Sequence, residues 1–233
     1  KHVLPSGDRV KGGGFTHFMI VLSDKTLPNI PADLQRVPIV VNPRDCVPKD
    51  YIRNNIKDNM KLIPKDKFIE KCRTHTDHAI IISGGPNIDY KKLKETLDKH
   101  PKAFTMCVKH AYPGLIKNNI KPDACILLDP RSIEGESTHG IKRKDLLKDL
   151  DEDTKFLLAS MTDPSVTNYL IEKKADIWGW HAFTESLRDD EDRKHSIKNN
   201  QVKIREDIGL PAGATLITGG TCAAMRAIGM LHT

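Results

Sequence analysis

Short, almost wholly apolar runs that end in glycine or aspartate are the feature that most constrains the fold of this chain. The run Ile80-Ile81-Ile82 is followed directly by the turn formers Ser83-Gly84-Gly85. A run this short, without alternation of polar and apolar residues, is typical of a strand buried on both faces. Further short runs of this kind recur at residues 103–108, 124–128, 155–159, 176–180 and 215–217. The sequence therefore predicts a largely buried sheet.

Segments with helical spacing of apolar residues lie between these runs. They cover residues 50–71, 89–99, 113–118 and 165–174, and a further helix is predicted to start at about Cys222. Strands that alternate with helices pair in parallel, because the helix carries the chain back to the start of the next strand. The fold class predicted from the residues is therefore α/β with a parallel sheet.

Prolines set the N-terminal part of the chain apart. Five prolines between residues 28 and 48 keep this region extended and break any helix. We therefore divide the chain into an N-terminal extension or small lobe at residues 1–48 and a main domain at residues 49–233. Near the other end, the highly charged segment 188–200 is predicted to be a mobile loop or an exposed insert.

The charge of the chain is positive but evenly mixed. The 37 lysines and arginines exceed the 31 aspartates and glutamates, which gives a formal net charge of +6. Charges of both signs alternate along the sequence, and only 5% of the residues are aromatic, which leaves few rings for base stacking. The sequence does not favour nucleic-acid binding. A basic pocket for a phosphorylated small molecule remains open.

The predicted location is the cytoplasm. No apolar run approaches the roughly 18 residues that a membrane-spanning helix needs, and the N-terminus lacks the apolar core of a secretion signal. The five cysteines are scattered without the spacing of a zinc site or a disulfide framework, as expected of a protein in a reducing compartment.

Two glycine-containing turns are candidate nucleotide-binding loops. They are Ser83-Gly84-Gly85-Pro86-Asn87 and Thr218-Gly219-Gly220-Thr221, and each follows a predicted strand. Glycine lets the backbone approach a ligand closely, and the start of the following helix offers free N–H groups to a phosphate. A tight turn, or a threonine that caps a helix, would explain the same residues without a ligand. Two such turns at one sheet edge favour a nucleotide bound across both.

Asp129 is the candidate ligand for a metal ion or a ribose. It follows the predicted strand 124–128, where a carboxylate can hold Mg²⁺ or accept a hydrogen bond from a ribose hydroxyl. An aspartate before Pro130 also favours a simple turn, and the sequence does not decide between these interpretations. Asp123, which precedes the same strand, is predicted to cap or orient the turn.

His181 is the candidate general acid or base. It follows Trp178-Gly179-Trp180 at a predicted strand end, and histidine changes charge near neutral pH. Spacing alone identifies no partner for its imidazole, and a structural role explains a lone histidine equally simply.

These motifs together resemble the MptE-like family. The resemblance rests on residues 80–87, on Ile120-Lys121-Pro122-Asp123 with Asp129-Pro130, and on Gly219-Gly220-Thr221. Residues 53–59 are similar to the asparagine-containing helix that precedes the family's first strand. The family includes archaeal 6-hydroxymethylpterin diphosphokinases and the central domain of bacterial motility accessory factors, and it is distantly similar to bacterial sialyltransferases.

The resemblance, which covers about residues 50–233, implies a Rossmann-like fold with helices on both faces of the sheet, and nucleotide-dependent transfer chemistry. Asn87 stands where the family usually has serine, which changes the donor geometry of the first loop. The family continues beyond the position of Thr233 into a strand that ends in Gly-x-Asp. On this basis the domain is expected to be truncated at its C-terminal edge.

Three functions follow as alternatives. The first is transfer of a nonulosonic acid, a sialic-acid-like sugar, from a CMP donor to a small-molecule or protein acceptor, with both glycine turns binding the nucleotide and Asp129 binding ribose or metal. The second is a 6-hydroxymethylpterin diphosphokinase that uses ATP and Mg²⁺, held partly by Asp129. The third is a nucleotide-binding module without catalysis, because the sequence shows no strong acid–base pair.

Overall fold

The main domain is described by a computed structural model. The described residues are 47–69, 78–85, 87–137, 140–183, 197–211, 214–217 and 222–232. All of them belong to the compact unit Asp45–Thr233. The N-terminal lobe predicted for residues 1–48 lies outside the described residues, except for its last two.

Helices and strands alternate along the described part of the chain. The strands are β1 (Ala79–Ile82), β2 (Phe104–Val108), β3 (Ala124–Leu127), β4 (Lys155–Ala159), β5 (Asp176–Ala182) and β6 (Leu216–Ile217). The helices are α1 (Lys49–Leu62), α2 (Tyr90–Lys99), α3 (Tyr112–Lys117), α4 (Pro164–Glu172), α5 (Ile197–Asp207) and α6 (Ala223–His232), with short 3₁₀ helices at Lys65–Lys67 and Arg143–Leu147. Within the described residues, no helix is both long enough and apolar enough to cross a membrane.

The six strands form one sheet whose spatial order follows the sequence, β1-β2-β3-β4-β5-β6. Every neighbouring pair is parallel. All four residues of β3 are buried, as expected for a strand covered on both faces. The α/β fold with a parallel sheet is therefore confirmed.

Helices cover both faces of this sheet. Tyr112 of α3 packs edge-on against Phe156 of β4, with ring centroids 5.3 Å apart. The next residue along β4, Leu157, points to the opposite face, because side chains alternate along a strand. There Leu157, Met106 and Met230 of α6 help to line a cavity of about 1070 Å³. The Rossmann-like arrangement of helices is confirmed.

Three predicted segments differ from the structure. Helix α1 ends at Leu62, not near residue 71, because Pro64 cannot continue it. Part of the segment predicted as a charged connector forms α5, whose residue Ile204 is buried in the core. Strand β5 extends to Ala182 because its last two residues pair with β6, so His181 lies within the strand.

Candidate functional site

The loops after β1 and β2 meet at the carboxyl edge of the sheet. A Cβ atom on Gly84 would lie 2.8 Å from the Cβ atom of His110, in the loop after β2. Glycine at this position is therefore needed for packing between the two loops. Gly85 differs, since no atom lies within 4 Å of the position of its missing Cβ. The exposed backbone at Gly85 is the part of this loop that a ligand can approach.

Asp129 lies two residues after the end of β3 and is surrounded by cations. Its Oδ2 accepts hydrogen bonds from Lys109 Nζ at 3.1 Å and from Arg131 Nη2 at 3.0 Å. Its Oδ1 accepts from Arg131 Nε at 2.7 Å and from the Arg131 backbone N–H at 3.2 Å. Arg143 Nε lies 3.5 Å from Oδ2 as a further ion pair. We call Lys109, Asp129, Arg131 and Arg143 the cation cluster.

The cation cluster is largely buried and carries an excess of positive charge. Only 8% of the Lys109 side chain, 13% of Asp129 and 9% of Arg143 are exposed, whereas Arg131 is 34% exposed. Three positive charges against one negative charge leave a formal excess of two. Buried charge is costly unless a partner neutralises it. The cluster is therefore suited to binding an anion.

The charges of the cluster also determine the ionisation of Asp129. Burial by itself would raise the pKa of this carboxyl, but hydrogen bonds from Arg131 and the positive charge of Lys109 lower its pKa to about 2. Burial lowers the pKa of Lys109 below its ordinary value, and the nearby Asp129 carboxylate opposes that change. Asp129 is thus ionised at neutral pH.

The oxygens of Asp129 are already occupied. A carboxylate has about four lone-pair positions, and Asp129 accepts four hydrogen bonds. A Mg²⁺ ion or a ribose hydroxyl would have to displace one of these donors. The role of Asp129 as a metal or ribose ligand stays a prediction, and the geometry favours a different role, in which it holds the three cations in place.

Arg143 reaches the cluster from a distant part of the loop that follows β3. Its Nη1 donates to the carbonyl of Ser132 at 2.7 Å, and its backbone N–H donates to the carbonyl of Gly135 at 2.9 Å. A Cβ on Gly135 would lie 2.3 Å from Arg143 Nη1, so a larger residue there would require the guanidinium to move. Among the described residues, Arg143 Nε has no hydrogen-bond partner.

The same loop is joined to the start of α4. Asp163 caps this helix by accepting from the backbone N–H of Ser165 at 2.9 Å, and Tyr51 of α1 donates its hydroxyl to the other oxygen of Asp163. The Ser165 hydroxyl in turn accepts from the backbone N–H of Ile133 at 3.0 Å. These contacts connect the loop after β3 to the loop after β4.

His181 lies apart from the cation cluster. Its ring stacks on Phe68 with centroids 4.8 Å apart, and the residue is only 5% exposed. Burial lowers the pKa of His181 to about 4, so its imidazole is uncharged at neutral pH. Its Nδ1 has no hydrogen-bond partner in the described part of the chain. A catalytic role for His181 stays a prediction, and these contacts are those of a packed side chain.

The remaining predicted residues fall into two groups. Asn87 is exposed and lies two residues before Asp89, which caps α2 by accepting from Lys92 N–H at 3.1 Å. The others lie outside the described residues, namely Pro86, Gly219, Gly220 and Thr221.

Sequence reasoning missed four arginine and lysine residues at this edge. Lys109 directly follows β2, just as Asp129 follows β3, and that position is the signal that could have identified it. Arg131 lies two residues after Asp129, and Arg143 lies in a stretch of mixed charge that resembles a solvated surface. The fourth, Arg226 of α6, is buried and donates to the carbonyls of Phe183 and Ile217 at the ends of β5 and β6.

Comparison with known protein families gives one match. Residues 51–224 match the MptE-like family, described as 6-hydroxymethylpterin diphosphokinase MptE-like. This range covers more than half of the chain and includes both glycine turns and the whole cation cluster. No significant match was found among curated proteins or among solved structures.

Proposed function

Because the chain belongs to the MptE-like family, we propose that it is a nucleotide-dependent transferase whose cation cluster binds the phosphate of the donor. The observation that carries this proposal is the convergence of three cationic side chains, Lys109, Arg131 and Arg143, on one largely buried carboxylate. The cluster is at the sheet edge where parallel α/β sheets bind their ligands.

The chemistry of these side chains suits a phosphate. Guanidinium groups bind phosphate oxygens through two parallel hydrogen bonds, and a lysine adds a compact positive charge. Asp129 orients Arg131 through both Nε and Nη2 before any ligand arrives. Donors that are fixed in advance need no reorganisation as charge develops on a leaving group. The cluster would therefore stabilise both the bound donor and the departing nucleotide.

We propose CMP linked to a nonulosonic acid as the donor. Such a donor carries one negative charge on its phosphodiester and one on its sugar carboxylate, and both are groups that lysine and arginine side chains bind. In the transfer the bond between the anomeric carbon and the phosphate oxygen breaks, and CMP leaves with the bonding electrons. The acceptor hydroxyl oxygen forms the new bond to the anomeric carbon and releases its proton to solvent water. Lys109 and the arginines would stabilise the charge that develops on the CMP phosphate.

A 6-hydroxymethylpterin diphosphokinase is the second candidate, because the description of the matching family names that activity. This reaction uses ATP with Mg²⁺. The described residues contain no group of three or more His, Cys, Asp or Glu side chains placed to hold a metal ion, and the Asp129 oxygens are occupied. The described residues therefore offer no pre-formed Mg²⁺ site, and the proposed mechanism includes no metal-dependent step.

Isothermal titration calorimetry on one panel of ligands tests these proposals. The panel contains CMP, CTP, a CMP-linked nonulosonic acid, and ATP with and without Mg²⁺. We expect CMP and the CMP-linked sugar to bind without metal and with an affinity that falls as salt rises, since the contact is ionic. Binding of ATP only with Mg²⁺, followed by AMP release with a pterin acceptor, would instead support the diphosphokinase.

Turnover on the same panel separates an enzyme from a binding module. Release of CMP from the CMP-linked sugar in the presence of an acceptor supports the transferase. Binding without release of any product over the whole panel would identify a module that binds nucleotide without catalysis. No affinity for any member of the panel would refute nucleotide binding altogether.

A further inference from the structure

Two asparagines of α1 are buried beside the loops that carry the site. Asn55 is 4% exposed and Asn59 is fully buried. They lie four residues apart on α1 and therefore on the same side of the helix. Buried amides must form hydrogen bonds to offset the loss of water. Their partners thus show what each asparagine holds in place.

Asn55 bridges two loops. Its Nδ2 donates to the carbonyl of Pro130, after β3, and to the carbonyl of Met161, after β4, at 3.1 Å in each case. Pro130 is the residue between Asp129 and Arg131, so this hydrogen bond holds the backbone in the middle of the cation cluster. Asn55 itself is not among the residues that surround the Asp129 carboxylate.

Asn59 holds the loop after β4 and helix α4. Its Nδ2 donates to the carbonyls of Ser160 and Thr162, and its Oδ1 accepts from the hydroxyl of Thr167 at 2.6 Å. Asn59 is at least as buried as Asn55 and also makes two bonds to carbonyls. The two residues therefore form a matched pair that differs in whether residues 129–131 are held.

We propose that Asn55 is a positioning residue for the phosphate site, which rests on the proposed function of the cation cluster. By fixing the Pro130 carbonyl, Asn55 sets the backbone from which Asp129 and Arg131 extend. Without that bond the carbonyl is a buried acceptor without a partner, and the loop must shift to satisfy it. A shift of the loop would move the Arg131 guanidinium away from its place on Asp129.

The test compares Asn55→Ala with Asn59→Ala in the full chain. Binding of CMP, and of inorganic phosphate as the minimal anion, is measured by calorimetry under conditions where both variants are folded by circular dichroism. We expect Asn55→Ala to weaken both affinities by about tenfold or more, as loss of a residue that orients a ligand-binding group commonly does. Asn59→Ala should change them less than about threefold, within the context-dependence of such effects. Equal effects of the two variants, or no effect of Asn55→Ala, would overturn the proposal.

Two further measurements keep the outcome decisive. If Asn55→Ala does not fold, Asn55→Ser retains one donor and is compared with Asn59→Ser under the same criteria. If the unaltered chain binds neither CMP nor phosphate, the proposed function fails, and tryptic cleavage after Arg131 decides the positioning role. Cleavage there should be faster in the Asn55 variant than in the Asn59 variant, because only the former releases residues 129–131. Equal rates would reject the inference.

Discussion

The two ends of β3 each carry an aspartate, and their surroundings differ. At the amino end, Asp123 Oδ2 accepts from the backbone N–H and the hydroxyl of Thr105, both at 2.7 Å, and Asp123 N–H donates back to that hydroxyl at 3.1 Å. At the carboxyl end, Asp129 is bound by three cations. These bonds join the start of β3 to β2, and the role of Asp123 in capping or orienting the turn stays a prediction.

The comparison shows how a structural carboxylate can be told from one that organises a site. The partners of Asp123 are neutral groups on the neighbouring strand, namely the backbone N–H and the hydroxyl of Thr105. The partners of Asp129 carry more charge than a single carboxylate can neutralise. Under the proposed function, the phosphate of the donor completes the carboxyl end of the strand, whereas the described contacts at the amino end involve neutral groups.

The largest expected effect comes from Asp129→Asn compared with Asp123→Asn. Removing the Asp129 charge leaves two buried cations and one partly exposed cation that repel one another, and we expect the free energy of unfolding to fall by about 3 kcal/mol. Asp123→Asn retains an acceptor for Thr105 and should cost about 1 kcal/mol. Urea denaturation measures both values.

Inorganic phosphate provides the control for this pair. It should raise the melting temperature of Asp129→Asn more than that of Asp123→Asn, because a bound anion replaces the missing charge and binding stabilises the folded state. Equal losses of stability and equal responses to phosphate would remove the distinction between the two ends of β3.

The free energy of unfolding, measured as the pH is lowered, should fall in two separate steps. His181 has a pKa of about 4 in the folded chain against an ordinary 6.5, so its contribution is complete above pH 6.5 and is lost as the pH falls to about 4. This difference corresponds to about 3 kcal/mol. Asp129 has a pKa of about 2 against 3.8, so its contribution, about 2 kcal/mol, is lost between about pH 4 and pH 2.

Two variants show which residue causes each fall in the free energy of unfolding. His181→Phe keeps an aromatic ring against Phe68 and should abolish the loss between pH 6.5 and 4. Asp129→Asn should reduce the loss below pH 4, to which Asp176 also contributes because, against the opposing effect of burial, hydrogen bonds from Lys67 and Trp178 lower its pKa, and should leave the upper loss unchanged. Urea denaturation at a series of pH values measures both, and an upper loss that persists in His181→Phe would show that another group titrates there.

Loss of a single cation should weaken ligand binding without unfolding the chain. Lys109→Met removes one charged hydrogen-bond donor, worth about 1.5–3 kcal/mol, and should weaken CMP binding by about 10- to 100-fold. The control is Lys148→Met, which removes a lysine that is exposed at the end of the 3₁₀ helix Arg143–Leu147. Calorimetry measures both affinities, and similar losses in the two variants would argue for a general effect of net charge.

The smallest expected effects distinguish the two glycines after β1. In Gly84→Ala the new Cβ would meet the Cβ of His110 at 2.8 Å, so the loops must shift at a cost of about 1–3 kcal/mol. Gly85→Ala meets no atom within 4 Å and should change stability by less than about 0.5 kcal/mol. If a ligand approaches the backbone at Gly85, this variant should nevertheless bind CMP more weakly. Thermal denaturation measures the stability of both variants, and calorimetry measures their affinity for CMP.

Most of the fold could be predicted from the sequence because buried parallel strands are short, apolar and followed by turns. Strand β4 was predicted with the bounds that the structure shows. Helix α5 was not predicted, because its composition is that of an exposed charged segment and its burial at Ile204 depends on packing against the sheet. Local patterns indicate local structure, and contacts made at a distance leave no such pattern.

The site could be predicted only where strand ends define it. Asp129 and Gly85 were identified by position, since the carboxyl ends of parallel strands share one edge. Arg143 could not be identified in this way, because it is one of many charged residues in 142–153. Its side chain reaches Asp129 by passing Gly135, a contact that the sequence does not show. His181 was expected at a strand end, but pairing with β6 places it inside β5.

The sequential strand order has a consequence for how the domain folds. Each strand pairs with the next one along the chain, so the sheet can grow by steps that each close a short loop, which favours rapid folding. Helices α1 and α6 are exceptions, because Asn59 contacts Ser160 across 101 residues and α6 packs against β1. We therefore expect α1 to dock late, so that Asn59→Ala accelerates unfolding and leaves the refolding rate in stopped-flow experiments nearly unchanged. The phosphate site would then be the last part of the domain to become ordered.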